Sequence, residues 1–187
     1  AKRPMPSPAQ VADQAGSETQ IWVWVVDLDT LVPHKLPINR NDTMESGTWT
    51  AVYGADNMIY TSSTFAGSGW TPLRKVNPVD KTAVEIVGVT QNVMLSPSGD
   101  RQTIAWAEAN ISDGRWGVYD VPTGGYVQRQ WYEDGTSWFN YEIATDRFGS
   151  QFSIPTYGGT MVYNDTYQKI ATIGVYAGEQ PIGVAYH

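Results

Sequence analysis

Apolar positions in this chain come in short runs, and within most runs they alternate with polar positions at a period of two. That is the spacing of a strand with one face turned to a core. No window of about a dozen residues sustains the i, i+3, i+4 apolar stripe of an amphipathic helix. The runs are bounded by Gly, Pro, Asn and Asp, the residues that tight turns require. The most apolar run is IWVWVV at residues 21–26, where Val23, Val25 and Asp27 share one face and Trp22, Trp24 and Val26 the other. Both faces are apolar, which predicts a strand covered on both sides.

The runs repeat. An apolar strand, an Asp or Asn, a turn and a second strand recur as VWVVDLDTLVPHKL, LRKVNPVDKTAVEIV, WGVYDVPTGGYVQRQ and TMVYNDTYQKIATIG. Their Asp27, Asn77, Asp120 and Asn164 stand at spacings of 50, 43 and 44 residues. Between them lies a second set of hairpins: TWTAVYGADNMIYTSS, VMLSPSGDRQTIAWAE and YEIATDRFGSQFSIPT, with polar turns at Ala55-Asp56, Ser98-Gly99-Asp100 and Arg147-Phe148-Gly149. An all-β repeat of about 40–50 residues with four strands per unit is the signature of a β-propeller. The second set supplies the inner strands a and b of each blade, and the Asp/Asn set the outer strands c and d.

LSPSGDRQTIAWAE followed by GRWGVYDVPTGGYVQ resembles a blade of the YVTN-type propellers, whose repeats run "SPDG…YVAN…VxVxDxxTG". PIGVAYH from Pro181 resembles the "P-x-G-V-A" opening of such a blade, and the resemblance covers most of residues 21–187. The blade beginning at Thr48 departs from it, with Tyr53-Gly54-Ala55-Asp56 where SPDG is expected. The resemblance implies the fold. On function it leaves open surface-layer proteins, lactonases and electron-transfer dehydrogenase subunits.

The expected fold is therefore all-β, a propeller arc over residues 21–187. It has three full blades, an outer strand pair before them (residues 21–36) and one strand after them (residues 182–186). Propellers close with about four to eight blades. Completion is expected from a second chain, a missing C-terminal segment or a copy of the arc itself. Residues 1–20 carry three prolines and no apolar periodicity. They read as a flexible N-terminal segment, left by signal cleavage or marking an artificial boundary.

Propeller geometry puts the a–b and c–d turns on one rim and the b–c and d–a loops on the other. The second set is longer here: residues 64–73, 107–116, 40–47 and 131–139. Binding residues concentrate on long loops held by a rigid scaffold. Trp70, Trp131, Tyr132 and Trp138 are the candidate contacts, as an aromatic platform for a glycan or protein or as packing beneath the loops. Glu108 and Glu133 join them as candidate polar contacts. The acids Glu45, Glu108, Asp113, Glu133 and Asp134 lack the spacing of a defined calcium loop, so no metal is assigned and solvated loop charge is the simpler account. A carboxylate pair for acid–base chemistry needs a separation that sequence does not give.

Composition narrows the function. Twelve Lys and Arg against 19 Asp and Glu give a net charge of −7, which disfavours nucleic acid and anionic membranes. No apolar run approaches the ~20 residues of a transmembrane helix. There are no cysteines, hence no disulfide or thiolate site. His34 falls in the outer strand pair and His187 is the last residue, and no nucleophile elbow or phosphate loop occurs. No cofactor and no catalytic residue is assigned. The charged fraction of 17% is below the ~25% of typical soluble domains, which with the abundant Gly, Thr, Tyr and Trp favours an extracellular or periplasmic setting. Asn41, Asn110 and Asn164 head N-x-[ST] sequons and are glycosylation candidates, the first two in predicted loops. The leading expectation is a non-catalytic extracytoplasmic scaffold that binds a protein or glycan through its long-loop rim. The alternatives are the propeller subunit of a periplasmic dehydrogenase, a lactonase-like enzyme, or a structural surface-layer or filament protein.

Overall fold

A computed structural model describes residues 23–36, 45–65, 71–90, 93–108, 115–130, 142–156, 158–174 and 185–186. All regular structure among them is β. The strands are β1 (Trp24–Val26), β2 (Pro33–Lys35), β3 (Glu45–Tyr53), β4 (Ile59–Phe65), β5 (Thr71–Asn77), β6 (Thr82–Thr90), β7 (Val93–Pro97), β8 (Thr103–Glu108), β9 (Arg115–Asp120), β10 (Tyr126–Gln130), β11 (Ala144–Thr145), β12 (Gln151–Thr156), β13 (Gly159–Asn164) and β14 (Lys169–Ile173). They form an antiparallel pair, β1–β2, and three four-stranded meanders, β3–β6, β7–β10 and β11–β14. These are the three blades, with the outer pair ahead of them. Strand β7 of the second blade lies beside β3 and β4 on one side and β11 on the other, so inner strands stand next to inner strands, as in a propeller. The arrangement is open. Residues 1–20 lie outside the described residues, and of the expected strand at 182–186 only Ala185 and Tyr186 are described, without strand pairing.

The outer turns are built by one device. Asp27 Oδ1 accepts the amides of Asp29 and Thr30, and Asn77 Oδ1 those of Val79 and Asp80. Asp120 Oδ1 accepts the amide and hydroxyl of Thr123, and Asn164 Oδ1 the amides of Thr166 and Gln168. A short side-chain acceptor folding back on its own turn favours this conformation over continued strand. In the first three turns the residue four positions on takes a left-handed conformation: Leu31 (φ 55°), Lys81 (φ 59°) and Gly124 (φ 72°). The fourth turn is one residue tighter, with Tyr167 at φ 61°. The inner turns use a three-residue step from the turn's first residue to its left-handed one, at Asn57 (φ 60°), Arg101 (φ 61°) and Gly149 (φ 69°).

Alternation along each strand distributes side chains between two junctions. In β8, Ile104 and Trp106 face the first blade, while Ala105 and Ala107 face the third. Trp106 pairs in register with Gly117, and Trp116 with Ala107, so each large indole crosses a small partner. A Cβ on Gly117 would lie 2.5 Å from Trp106 Cε2 and 2.5 Å from the Val127 carbonyl oxygen, which leaves no room for a side chain. The junction between the first and second blades is filled by Tyr60, Ile104 and Tyr119, the two tyrosine rings 5.3 Å apart, together with Leu73, Val87 and Trp106. The next junction is an aromatic cluster in which the Trp116 ring lies 4.7 Å from Tyr163 and 6.1 Å from both Phe152 and Tyr167. Stacked sheets diverge, and rings of this size fill the wedge between them.

The first strand differs from its expected surroundings. Val23 and Val25 pack with Leu36, Ile59 and Val76 against the first blade, but Trp24 and Val26 are 54% and 47% exposed. The apolar pattern of residues 21–26 encodes two covered faces, and only one of them is covered in the open arc.

Candidate functional site

The two rims carry different kinds of connection. On one rim the strands are joined within each hairpin by the short closed turns already described. An amide-to-carbonyl bond from Val121 to Gln102 ties the outer to the inner turn of the second blade at 2.8 Å. The opposite rim holds the connections β2–β3, β4–β5, β8–β9 and β10–β11, all passing through residues outside those described, while β12–β13 is bridged by residues 157–158 alone.

Of the sequence-selected site residues, Trp70, Trp131, Tyr132, Glu133 and Trp138 lie outside the described residues, as do Asn41, Asn110, Asp113, Asp134 and His187. Glu45 opens β3. His34 is exposed on β2. Asn164 ends β13 with its side-chain oxygen engaged by the amides of Thr166 and Gln168 and the Thr166 hydroxyl.

Of the selected binding residues, Glu108 is the one among the described residues, and it does not sit in a loop. It is the last residue of β8 and is 0% exposed. Arg115, the first residue of β9, donates from Nε to Oε2 at 2.8 Å and from Nη2 to Oε1 at 2.7 Å. This two-pronged pair closes the base of the β8–β9 connection. Burying a carboxylate requires such a partner, so a rim glutamate that sequence alone would give to solvent or to a cation is spent on a guanidinium.

The short-turn rim holds features that the sequence reading did not select. A cavity of about 470 Å³ is lined by Pro97, Gly99, Thr145, Asp146, Arg147, Phe148 and Tyr186. It gathers the ends of the inner strands β7 and β11 and the residue Tyr186, whose hydroxyl lies 2.6 Å from that of Ser153. The signal in sequence was the turn register shared by SPSGD and ATDRFGS, which aligns Pro97 with Thr145. Nearby in the first blade, Asp56 Oδ2 binds Lys75 Nζ at 2.6 Å and accepts the Tyr60 hydroxyl at 2.9 Å. Burial and the Asp56 carboxylate keep the Tyr60 phenol protonated well above its ordinary range. Among the described residues no three His, Cys, Asp or Glu side chains converge as a metal site.

Four aspartates of these turns are shifted in the same direction. Asp27 is held below the ordinary carboxylate value by the amides of Thr30 and Asp29, and Asp100 by the Ser98 hydroxyl and the Gln102 amide. At Asp56 and Asp146 partial burial pushes upward. Lys75, Met58 and Tyr60 reverse this for Asp56, and Ser150 and Gln151 for Asp146. All four pKa values are lower in the folded protein, so the stability they confer is complete above the unfolded value near ~3.9 and is lost as pH falls through the folded values. Urea midpoints are expected to hold steady from pH 7 to 5 and to drop steeply below about pH 4. Asp146→Asn, measured over the same range, is expected to shallow that drop.

No family model and no curated protein matches the sequence. Solved structures do. The chain superposes on the Dos1 propeller with a TM-score of 0.61 at 8% identity, covering 83% of this chain and 43% of that one. For TolB from Acinetobacter baumannii the TM-score is 0.54 at 10% identity, with coverage of 80% and 36%. For a gluconolactonase from Xanthomonas campestris it is 0.57 at 13% identity, with coverage of 86% and 56%. The chain spans about half or less of the length of these propellers. It has the β-propeller fold.

Proposed function

We propose that this arc is the scaffold half of a YVTN-like extracytoplasmic propeller that binds a protein or glycan through its long-loop rim, without catalysis of its own. One observation carries the reading: one rim is made of short turns locked by their own side chains, while the long sequence segments that join β4 to β5 and β10 to β11 at the opposite rim hold Trp70, Trp131, Tyr132 and Trp138. Rigid turns on one side give the loops on the other a fixed base, and the Glu108–Arg115 pair at the foot of β8–β9 fits that purpose. Trp70, Trp131, Tyr132 and Trp138 are the contact residues on this reading, with Glu133 as a polar contact and Glu108 as the anchor of its loop. The low charge fraction and the sequons at Asn41 and Asn110 favour a secreted or periplasmic site of action, and the TolB likeness is compatible with it.

The test is a paired substitution, Trp131→Ala with Trp138→Ala, read on a glycan array and by crosslinking to co-secreted proteins. Removing two aromatic anchors is expected to weaken association by at least about tenfold while the melting temperature stays within a few degrees. Unchanged association in the double variant overturns the rim-binding reading.

A further inference from the structure

The inner turns of the three blades share a backbone and differ in where they keep their aspartate. Each is closed by the amide of its left-handed residue, Asn57, Arg101 or Gly149, donating to the carbonyl of the turn's first residue, Gly54, Ser98 or Asp146. In the first two turns the third residue is an aspartate whose Oδ1 accepts the amide two positions on. Asp56 takes that of Met58, and Asp100 that of Gln102. In the third blade Phe148 holds that place and the aspartate stands first. Asp146 Oδ1 accepts the Ser150 and Gln151 amides and Oδ2 the Ser150 hydroxyl, so both oxygens serve the turn itself.

The exchange leaves donors and an apolar ring beside the 470 Å³ cavity. The Arg147 and Phe148 amides have no acceptor among the described residues. Among the same residues the Arg147 guanidinium has no salt-bridge partner, and it lies 5.5 Å from the Phe148 ring centroid. Thr145 lines the cavity and is 7% exposed, yet its hydroxyl has no hydrogen-bond partner among the described residues. A buried hydroxyl without a partner carries a cost that a bound acceptor removes. The apolar wall is made by Pro97, by Phe148 and by Tyr186, which is held by the 2.6 Å contact between its hydroxyl and that of Ser153. A volume of this size with apolar walls and a few polar groups suits a small organic ligand.

We propose that this cavity binds a small organic acid, its carboxylate taken by the Arg147 guanidinium and the free turn amides and its apolar body laid against Phe148. The class follows from the surplus of donors. A carboxylate only accepts hydrogen bonds, a guanidinium matches its two oxygens, and successive backbone amides in a turn favour anions. A cation has less to hold, because the Asp146 oxygens and Asp100 Oδ1 are already bonded within their own turns. The site lies on the short-turn rim, opposite the loops of the function proposed above, so the Trp131/Trp138 double variant leaves it intact.

The test is an NMR titration of the 187-residue chain with phenylacetate, in about 0.15 M NaCl so that exposed charges are screened. Phenylacetamide, which has the same body without the charge, and acetate, which lacks the ring, are titrated alongside. Phenylacetate is expected to shift the Arg147, Phe148 and Thr145 amides saturably, with a Kd of about 1 mM or tighter. Phenylacetamide and acetate are each expected to bind at least about tenfold more weakly. Arg147→Gln, at an exposed side chain, is expected to weaken phenylacetate at least about tenfold and leave the melting temperature unchanged. Absence of a saturable shift overturns the proposal. So does equal binding of phenylacetamide, a comparison made on the parent protein and independent of any variant's folding. Shifts as large around Arg101, with phenylacetate binding unchanged by Arg147→Gln, would reduce the effect to general anion attraction and overturn it too.

Discussion

Glu108→Ala is expected to destabilise the arc by about 3–5 kcal/mol, the cost of leaving a buried charge without its partner. Arg115 is 15% exposed at its side chain and Glu108 is not exposed at all, so solvent can replace little of what the carboxylate supplies. Both prongs of the guanidinium lose their acceptor at once. Glu108→Gln keeps the shape and one acceptor and is expected to fall between alanine and the parent. The double variant Glu108→Leu with Arg115→Met removes both charges. It is expected to recover most of the loss, because breaking a buried pair costs far more than replacing it with apolar volume. Denaturant midpoints of the four proteins at neutral pH decide the matter. A loss below about 1 kcal/mol for Glu108→Ala would match an exposed surface pair and refute the burial argument.

Gly149→Ala is expected to cost about 2–5 kcal/mol through two separable terms. The glycine sits at φ 69°, where an L side chain pays about 1–2 kcal/mol. Its Cβ would also lie 2.6 Å from Thr103 Cβ and closer still to the Thr103 hydroxyl, an overpacking worth about 1–3 kcal/mol. The preceding turn separates the terms. Arg101 occupies the same left-handed position at φ 61°, so the conformation alone is affordable there. At Gly149 the neighbouring blade stands in the way. Gly149→Asn, whose side chain tolerates the left-handed region but carries the same Cβ, is expected to recover only the conformational share. Full recovery by asparagine in thermal melts would show that the contact with Thr103 yields freely.

Much of the blade architecture was legible in the sequence, and for local reasons. The turn at Asp120 needs only its own side chain and the residues to Gly125, so Asp-x-x-Thr-Gly announces a hairpin without help from the rest of the chain. Strand pairing then follows from the alternation of Ile104, Ala105, Trp106 and Ala107. Glu108 was less legible because its fate depends on Arg115, seven residues away across a connection whose course no periodicity encodes. Trp24 misled in the other direction. Its run reads as buried on both faces, because sequence records the cover a strand is built for and the arc supplies cover on one side. The cavity at Arg147 went unselected because it is made of turns from different blades, each unremarkable alone. The loop aromatics were chosen by composition and rim logic, and their geometry lies outside the described residues.

The crossed pairs of β8 and β9 have an optical consequence. Trp106 and Trp116 are both fully buried, and neither indole nitrogen has a hydrogen-bond partner among the described residues, so both are expected to emit toward the blue end of tryptophan fluorescence. They stand on opposite faces of one sheet, Trp106 reporting the junction with the first blade and Trp116 the junction with the third. Six further tryptophans also emit, so the difference spectrum between the parent and a Trp106→Phe or Trp116→Phe variant isolates the contribution of a single interface. Coincident red shifts of the two under denaturant would mark the arc as one cooperative unit, and separated shifts would show which end peels away first.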